Sequence, residues 1–268
     1  MTNFHTHTVL CDGKLTAGQM VQAAIERGFT ALGFTGHSYL PFDASFGMSV
    51  AATRLYNETV LALQKKYEGI LDIFLAVEQD YCSDTPTDEY DYVIGSAHCI
   101  EIDGKYLSVD FRAEEQQRIV REYYGGDFLS FVERYYEIAA DIHTKTNADI
   151  IGHFDLTSKF NEGGVFFDED CARYKDAAIA AMESILKGCR LFEVNTGSMY
   201  KLGRTVPYPS SFLLKELFAR GGEVILSSDS HDAGSLGYKF PEMTELIKAC
   251  GYRYRKIFTK NGFENVKL

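Results

Sequence analysis

Short apolar runs alternate with longer amphipathic stretches along almost the whole chain. Runs at 3–8, 31–36, 70–77, 91–97, 149–153, 191–195, 223–228 and 254–258 have the length of strands. The segments ILDIFLAVE and EVILS are nearly continuous in apolar residues, the pattern of parallel strands covered on both faces. Between the runs, helical periodicity predicts helices near 16–28, 50–68, 113–145, 168–187, 209–220 and 240–250. Thr16 is placed to cap the first of these and Gly28 to end it. Gly188 after Lys187, and Gly221-Gly222 after Arg220, stop two others. Gly125-Gly126-Asp127 should break the 113–145 stretch and cap its second half. Repeated strand–helix units predict a parallel sheet with helices outside it. With no Pro/Ser-rich linker and no internal repeat, residues 1–268 are expected to form one domain.

The ends of these runs carry the chemistry. Six of the seven histidines fall where an apolar run stops. His5 and His7 are two apart near the start, and Asp229 and His231 repeat that spacing after the seventh run. His37, Glu78, His98 and His153 follow runs in between. Residues i and i+2 of a strand face the same side, so each pair can aim both side chains at one point. Taken singly, each histidine reads as a hydrogen-bonded structural residue, and Asp12, in a Cys-Asp-Gly turn, as a capping residue. Glu78 is the sharper signal, because a carboxylate ending an apolar strand is costly if buried without a partner. The repeated placement points to a shared metal site of neutral imidazoles and carboxylates.

That convergence also bears on how the sheet closes. In an open sheet, at about 4.8 Å per strand, the first and seventh strands would lie too far apart to share a ligand. A barrel brings every carboxyl end around one mouth. The expected fold is therefore an α/β barrel, TIM-like but distorted, with seven rather than eight well-formed strands and the site at their C-terminal ends.

Composition narrows the partners. The formal charge of −11 shows no basic face for nucleic acid or an anionic membrane. A phosphorylated small molecule stays compatible, since clustered divalent cations reverse the local field. No apolar stretch reaches the ~20 residues that span a bilayer, and no basic region followed by an apolar run opens the chain, so a cytoplasmic protein is expected. The six cysteines are scattered without a Cys-x-x-Cys pair, and they read as buried reduced thiols outside the metal site.

The ordered set His5-Thr-His7, Asp12, Thr35-Gly36-His37, Glu78, Gly95-Ser-Ala-His98, Gly152-His153-Phe-Asp155 and Ser228-Asp229-Ser-His231 resembles the motifs of the polymerase-and-histidinol-phosphatase (PHP) superfamily over essentially the whole chain. Length, the Glu193-Val-Asn-Thr-Gly segment and the Pro207-Tyr-Pro-Ser stretch are most similar to its monofunctional histidinol-phosphate phosphatases. The resemblance implies a distorted (β/α)7 barrel with three divalent metal ions. His5, His7, Glu78 and Asp229 would hold one ion. Glu78 would bridge to a second, completed by His98 and His153. Asp12, His37 and His231 would hold the third. Some relatives carry His where this chain has Asp12, which changes the charge of that site. The mixed nitrogen and oxygen donors suit zinc, iron or manganese and disfavour calcium.

On this pattern the expected reaction is hydrolysis of L-histidinol phosphate, a step of histidine biosynthesis, by a metal-bridging hydroxide. Glu78 would act through the bridged pair, and either Asp229 or a metal-bound water would protonate the leaving group. A nuclease of the same superfamily, or a phosphoesterase for another small molecule, is the alternative; a non-catalytic metal domain is a third reading. Lys159 and Arg204 lie in suitable loops to meet phosphate, and Ser210 opens a helix whose N-terminus favours anions. Asp43 and Glu162 are candidates for the substrate's ammonium and imidazole. Asp155 fits either a group orienting His153 or a turn cap. His143, inside a helical run, reads as structural.

Overall fold

The computed structural model describes residues 1–43 and 45–268. Its strands are β1 (Thr2–Asn3), β2 (Ala31–His37), β3 (Asp72–Asp80), β4 (Val93–Ser96), β5 (Cys99–Ile102), β6 (Lys105–Ser108), β7 (Ile150–Ile151), β8 (Leu191–Asn195), β9 (Glu223–Ser227), β10 (Tyr254–Thr259) and β11 (Gly262–Lys267). Nine of them form one sheet in the order β1-β2-β3-β4-β7-β8-β9-β10-β11, while β5 and β6 make a separate hairpin. Pairing is parallel from β1 through to β10, and only β11 returns antiparallel.

The sheet is strongly curled. A parallel bridge joins Thr6, just past β1, to Ser230, just past β9. It is made by His7 N donating to Ser230 O at 2.8 Å and Ser230 N donating to His5 O at 3.0 Å. The chain ends of the first strand and of β9 therefore touch, with all the intervening strands wrapped between them.

The concave face follows the two-residue period of the strands. Phe4, Ala31, Phe74, Ala76, Tyr92, Ile94, Ile150, Leu191 and Ile225 form one buried cluster, against which Ile257, Phe258 and Phe263 of the β10–β11 hairpin pack. Going two residues further along β3, Ala76 is followed by Glu78 and then Asp80. On β8, Leu191 is followed by Glu193 and Asn195. The apolar floor thus turns polar toward the carboxyl ends. Gly33 is required in this layer, because a Cβ there would meet the Tyr92 hydroxyl at 1.8 Å. That hydroxyl donates to Phe4 O at 2.6 Å.

Helices α1 (Ala17–Glu26), α2 (Val50–Lys66), α3 (Ala113–Tyr123), α4 (Phe128–Ala139), α5 (Ile142–Thr146), α6 (Ala172–Ile185), α7 (Gly197–Leu202), α8 (Ser211–Ala219) and α9 (Phe240–Ala249) complete the mixed α/β fold. Thr16 caps α1, with Gln19 closing a capping box. Asp127 accepts from Leu129 N at 3.0 Å at the start of α4, so the 113–145 stretch breaks at the expected glycines. Among the described residues no helix is long and apolar enough to cross a membrane, and the six cysteines are free thiols.

Three expectations need correction. The first strand was predicted over 3–8, but β1 ends at Asn3, because Thr6 N donates to the Thr35 hydroxyl (3.0 Å) rather than to a ladder carbonyl. The fifth was predicted over 149–153. β7 covers only Ile150–Ile151, because the Glu193 carboxylate takes His153 N at 2.7 Å. In both places a side chain replaces a backbone partner. Finally, the hairpin β5–β6 is absent from the strand pattern. Its turn, Asp103-Gly104, has φ of 51° and 73°, the left-handed pair that two-residue hairpins need.

Candidate metal centre

The carboxyl ends of the strands open into a cavity of about 550 Å³. Asp12, His37, Glu78, His98, His153, Asp229 and His231 line it, and His5 and His7 lie buried directly behind Glu78. All nine proposed ligands are therefore gathered at one place. They come from the chain after β1, from the ends of β2 and β3, from the segments after β4 and β7, and from the turn after β9.

Glu78 is the hub. Its Oε2 lies 3.2 Å from His5 Nε2, 3.5 Å from His7 Nε2 and 2.9 Å from His37 Nδ1. Its Oε1 lies 3.4 Å from His98 Nε2 and 2.9 Å from His153 Nε2. Asp229 Oδ1 is 3.2 Å from His7 Nε2 and 3.8 Å from His5 Nε2. Asp12 approaches His231 Nε2 at 2.8 Å and His37 Nε2 at 3.6 Å. His37 thus presents one ring nitrogen to each side, and His7 likewise faces both Asp229 and the Asp12 group. By proximity His7 joins the Asp12–His37–His231 set, and His37 joins Glu78 and His98. The three sets suggested by resemblance are consequently interlocked rather than separate.

The donors fit bound cations. His5 Nε2, His7 Nε2, His37 Nδ1, Glu78 Oε2 and Asp229 Oδ1 are buried and make no hydrogen bond. A buried polar atom left in that state costs about 1–3 kcal/mol. Five of them aimed at one volume make sense as ligand atoms. The mixture of imidazole and carboxylate is that of a divalent-metal centre.

The electrostatics agree. Burial, with His231 and His37 nearby, lowers the His7 pKa to about 3, so the ring is neutral as a ligand must be. Burial opposes ionisation of Glu78, but His37, His5 and His98 outweigh it and hold the carboxyl well below the usual range. His5 moves the other way: burial opposes its protonation, and Glu193, Glu78 and Asp229 overcome it. The centre attracts positive charge.

Two carboxylates that sequence reasoning did not assign hold these ligands in place. Glu193 Oε2 accepts from His5 Nδ1 at 2.8 Å and from the Ser227 hydroxyl. Its Oε1 accepts from His153 N and from Asn195 Nδ2, both at 2.7 Å. Asp80 Oδ2 accepts from His98 Nδ1 at 3.0 Å and His98 N at 3.1 Å. Each fixes a ring so that Nε2 faces inward, the usual way a ligand histidine is oriented. Both had a readable signal. Asp80 is two residues past Glu78 on the same face, and Glu193 interrupts an apolar strand as Glu78 does.

The remaining candidates divide. Lys159 and Asp43 line the cavity; Lys159 Nζ pairs with Asp110 Oδ2 at 2.8 Å. Arg204, Ser210 and Glu162 do not line it, contrary to expectation. The Arg204 guanidinium turns into the protein, 4.7 Å over the Tyr208 ring and within 3.4 Å of the Ser158 hydroxyl. Ser210 spends its hydroxyl on capping α8 at Leu213 N, and its own N–H goes to Asp155 Oδ2. That bond makes Asp155 a tie for the α8 start rather than a partner of His153, and burial pushes its pKa up to about 7. Glu162 accepts from the Thr205 N–H and hydroxyl. These three tie loops together. His143 donates to Ala148 O at 3.0 Å, a structural role. Lys201, which was not foreseen, lines the cavity with Nζ 3.3 Å from His231 Nε2 and 3.9 Å from Asp229 Oδ1.

A curled, mostly parallel α/β sheet with an imidazole–carboxylate cluster at its strand ends defines an α/β protein built to bind divalent metal. The PHP domain model matches residues 3–197, and the chain belongs to that family. It is 28% identical to a Deinococcus radiodurans protein named "Probable histidinol-phosphatase", over 94% of this chain and 96% of that one. It is 24% identical to the Bacillus subtilis histidinol-phosphatase, over 90% and 97%. Among solved structures, histidinol phosphate phosphatase from Lactococcus lactis, complexed with zinc, L-histidinol and phosphate, aligns with a TM-score of 0.73 at 20% identity, covering 98% of each chain. A Listeria monocytogenes chain aligns at 0.77 and 21%, covering 90% of this chain and 99% of that one.

Proposed function

We propose that this chain is a metal-dependent phosphomonoesterase and that its substrate is L-histidinol phosphate. The observation that carries the reading is the convergence of nine imidazole and carboxylate side chains, seven lining one open cavity and His5 and His7 buried behind Glu78. The fold is read as a distorted (β/α)7 barrel of residues 1–268, closed by the Thr6–Ser230 bridge, with β10–β11 plugging its amino-terminal end.

Three divalent ions, of zinc, iron or manganese, fit the donor set. His5, His7, Glu78 and Asp229 would hold one, Glu78, His98 and His153 a second, and Asp12, His37 and His231 a third. When bound, such ions lower the pKa of water and neutralise phosphoryl charge. The protein's own groups do the rest. Lys159 and Lys201 bring two ammonium groups to the wall formed after β7 and β8. Lys159 is already paired with Asp110, so Lys201 is the cation more available to a phosphate. Asp229, buried beside Lys201 and His5, is ionised at neutral pH. Burial opposes this, but those two groups prevail. In the free enzyme it therefore stands as a carboxylate.

Away from the donors, the cavity wall is aromatic and acidic. Phe42 and Tyr106 stack at 3.7 Å, and Phe46, Phe111, Asp43 and Glu115 complete that side. This lining suits a leaving group that is a flat heteroaromatic and a cation together, as L-histidinol is, and is unfavourable to a polyanion. The names of the relatives and the ligands of the Lactococcus lactis complex support the same substrate.

The test is steady-state assay of the metal-loaded protein with a panel of phosphomonoesters. Histidinol phosphate should exceed simple alkyl phosphates in kcat/KM by at least tenfold. Equal rates across the panel would remove the substrate assignment, and no hydrolysis of any member would remove the reaction. Lys201→Met should raise the inhibition constant of inorganic phosphate by about tenfold, a typical loss for one hydrogen bond to a charged group. An unchanged constant would show that Lys201 does not meet the phosphate.

A further inference from the structure

Two adjoining hydroxyl groups in the cavity find no well-formed hydrogen bond in the protein, only each other and, for Tyr208, the nearby Arg204 guanidinium. Tyr208 is 2% exposed and Ser198 4% exposed, and both line the cavity. Their position is built, not incidental. Tyr208 pairs with the end of β8 through Asn195 N donating to Tyr208 O at 2.6 Å and Tyr208 N donating to Asn195 O at 3.0 Å. That bridge returns the loop after α7 to the mouth of the site. Arg204 lies over the outer part of the same ring at 4.7 Å, and the ring centre is 6.3 Å from that of His153. Ser198 is carried on α7, one turn before Lys201.

Burying a hydroxyl without a partner costs about 1–3 kcal/mol, so two side by side on a ligand-facing wall call for an acceptor from outside. The same side carries Lys159, paired with Asp110, and Lys201, whose Nζ lies 3.9 Å from Asp229 Oδ1. These donors stand beside the proposed metal ligands, Lys201 3.3 Å from His231 Nε2 and the Tyr208 ring centre 6.3 Å from that of His153.

We propose that the Tyr208 and Ser198 hydroxyls donate hydrogen bonds to the phosphoryl oxygens of the bound monoester, and that Arg204 is a positioning residue that holds the Tyr208 ring. This rests on the phosphomonoesterase reading above. Burial pushes the Tyr208 pKa up to about 12, with Arg204 and Lys159 opposing, so the phenol keeps its proton throughout the neutral range. Arg204 touches no substrate in this arrangement. Its cation–π contact replaces the phosphate contact expected of it from sequence.

Tyr208→Phe and Ser198→Ala in the metal-loaded enzyme test the pair. Each should weaken inorganic phosphate binding, measured by calorimetry, about tenfold and lower kcat/KM for the monoester by a similar factor. Metal content and melting temperature should stay at wild-type values, because the lost hydroxyl makes no well-formed hydrogen bond in the free protein. Arg204→Met should weaken phosphate binding in the wild-type background but not further in the Tyr208→Phe background. Wild-type phosphate affinity in both single variants would overturn the proposal. So would a fall in melting temperature in both, which would mean the hydroxyls serve the fold. Phosphate binding is read without turnover, so a protein that hydrolyses no monoester would sink the functional reading while the donor pair is still judged on affinity.

Discussion

Glu78→Gln is expected to strip the centre of metal and to lower kcat/KM by on the order of 10²–10³-fold, the range seen when one electrostatic partner of a transition state is removed. The reason lies in the five imidazoles around this single carboxylate, all within 3.5 Å of one of its two oxygens. Glutamine has nearly the same shape and fills the same 1%-exposed site. It has no charge, however, and presents an amide N–H₂ to two or three of those rings, depending on which way it turns. No ion could then be shared between its two ends. Metal analysis of the purified variant beside a rate measurement checks this. His143→Ala, which touches nothing at the centre, serves as the control and should change neither. Full metal content with a normal rate in the glutamine variant would contradict the hub role.

The second large effect is expected at a residue that touches no substrate. Glu193 is fully buried and accepts from four donors: His5 Nδ1, the Ser227 hydroxyl, His153 N and Asn195 Nδ2. In Glu193→Gln, whichever way the amide turns, its N–H₂ faces two donors and leaves them unpaired. Breaking such a buried charged network costs about 3 kcal/mol, to be read as a lowered midpoint of denaturant unfolding. Loss of the oriented His5 ring should also weaken metal affinity roughly 10–100-fold. Added metal should restore part of the activity in this variant, unlike in Glu78→Gln. Wild-type stability and metal affinity together would show that Glu193 is not what fixes His5.

The two predictions differ in how visible their residues were. Glu78 was legible because it ends an apolar strand, and each histidine because it stops a run; the order of those stops along the chain matched one family. Strand–helix alternation carried most elements to within a few residues, and Thr16, Asp127 and Gly28 marked helix ends by local chemistry. Asp80 and Glu193 carry the same period-two signal as Glu78, but strand spacing alone does not say which ring nitrogen a carboxylate will meet. Lys201 and Ser198 carry no periodic signal, because their helix, α7, has only six residues; Tyr208 stands out only as part of the Pro207-Tyr-Pro-Ser stretch, with no role legible in it.

Arg204, Ser210 and Glu162 mark the opposite failure. Loop position and charge nominated them, yet each is consumed within the protein, by Tyr208 and Ser158, by Leu213 and Asp155, and by Thr205. Local sequence decides residue type, period and caps, because those depend on neighbours a few positions away. It therefore determined the parallel α/β architecture and the donor set of the centre. Which carboxylate meets which ring, and which cations stay free to face a ligand, depends on contacts between residues as far apart as Asn3 and Ser228. Those distances are set only when the curled sheet brings the segment after β9 against the segment after β1.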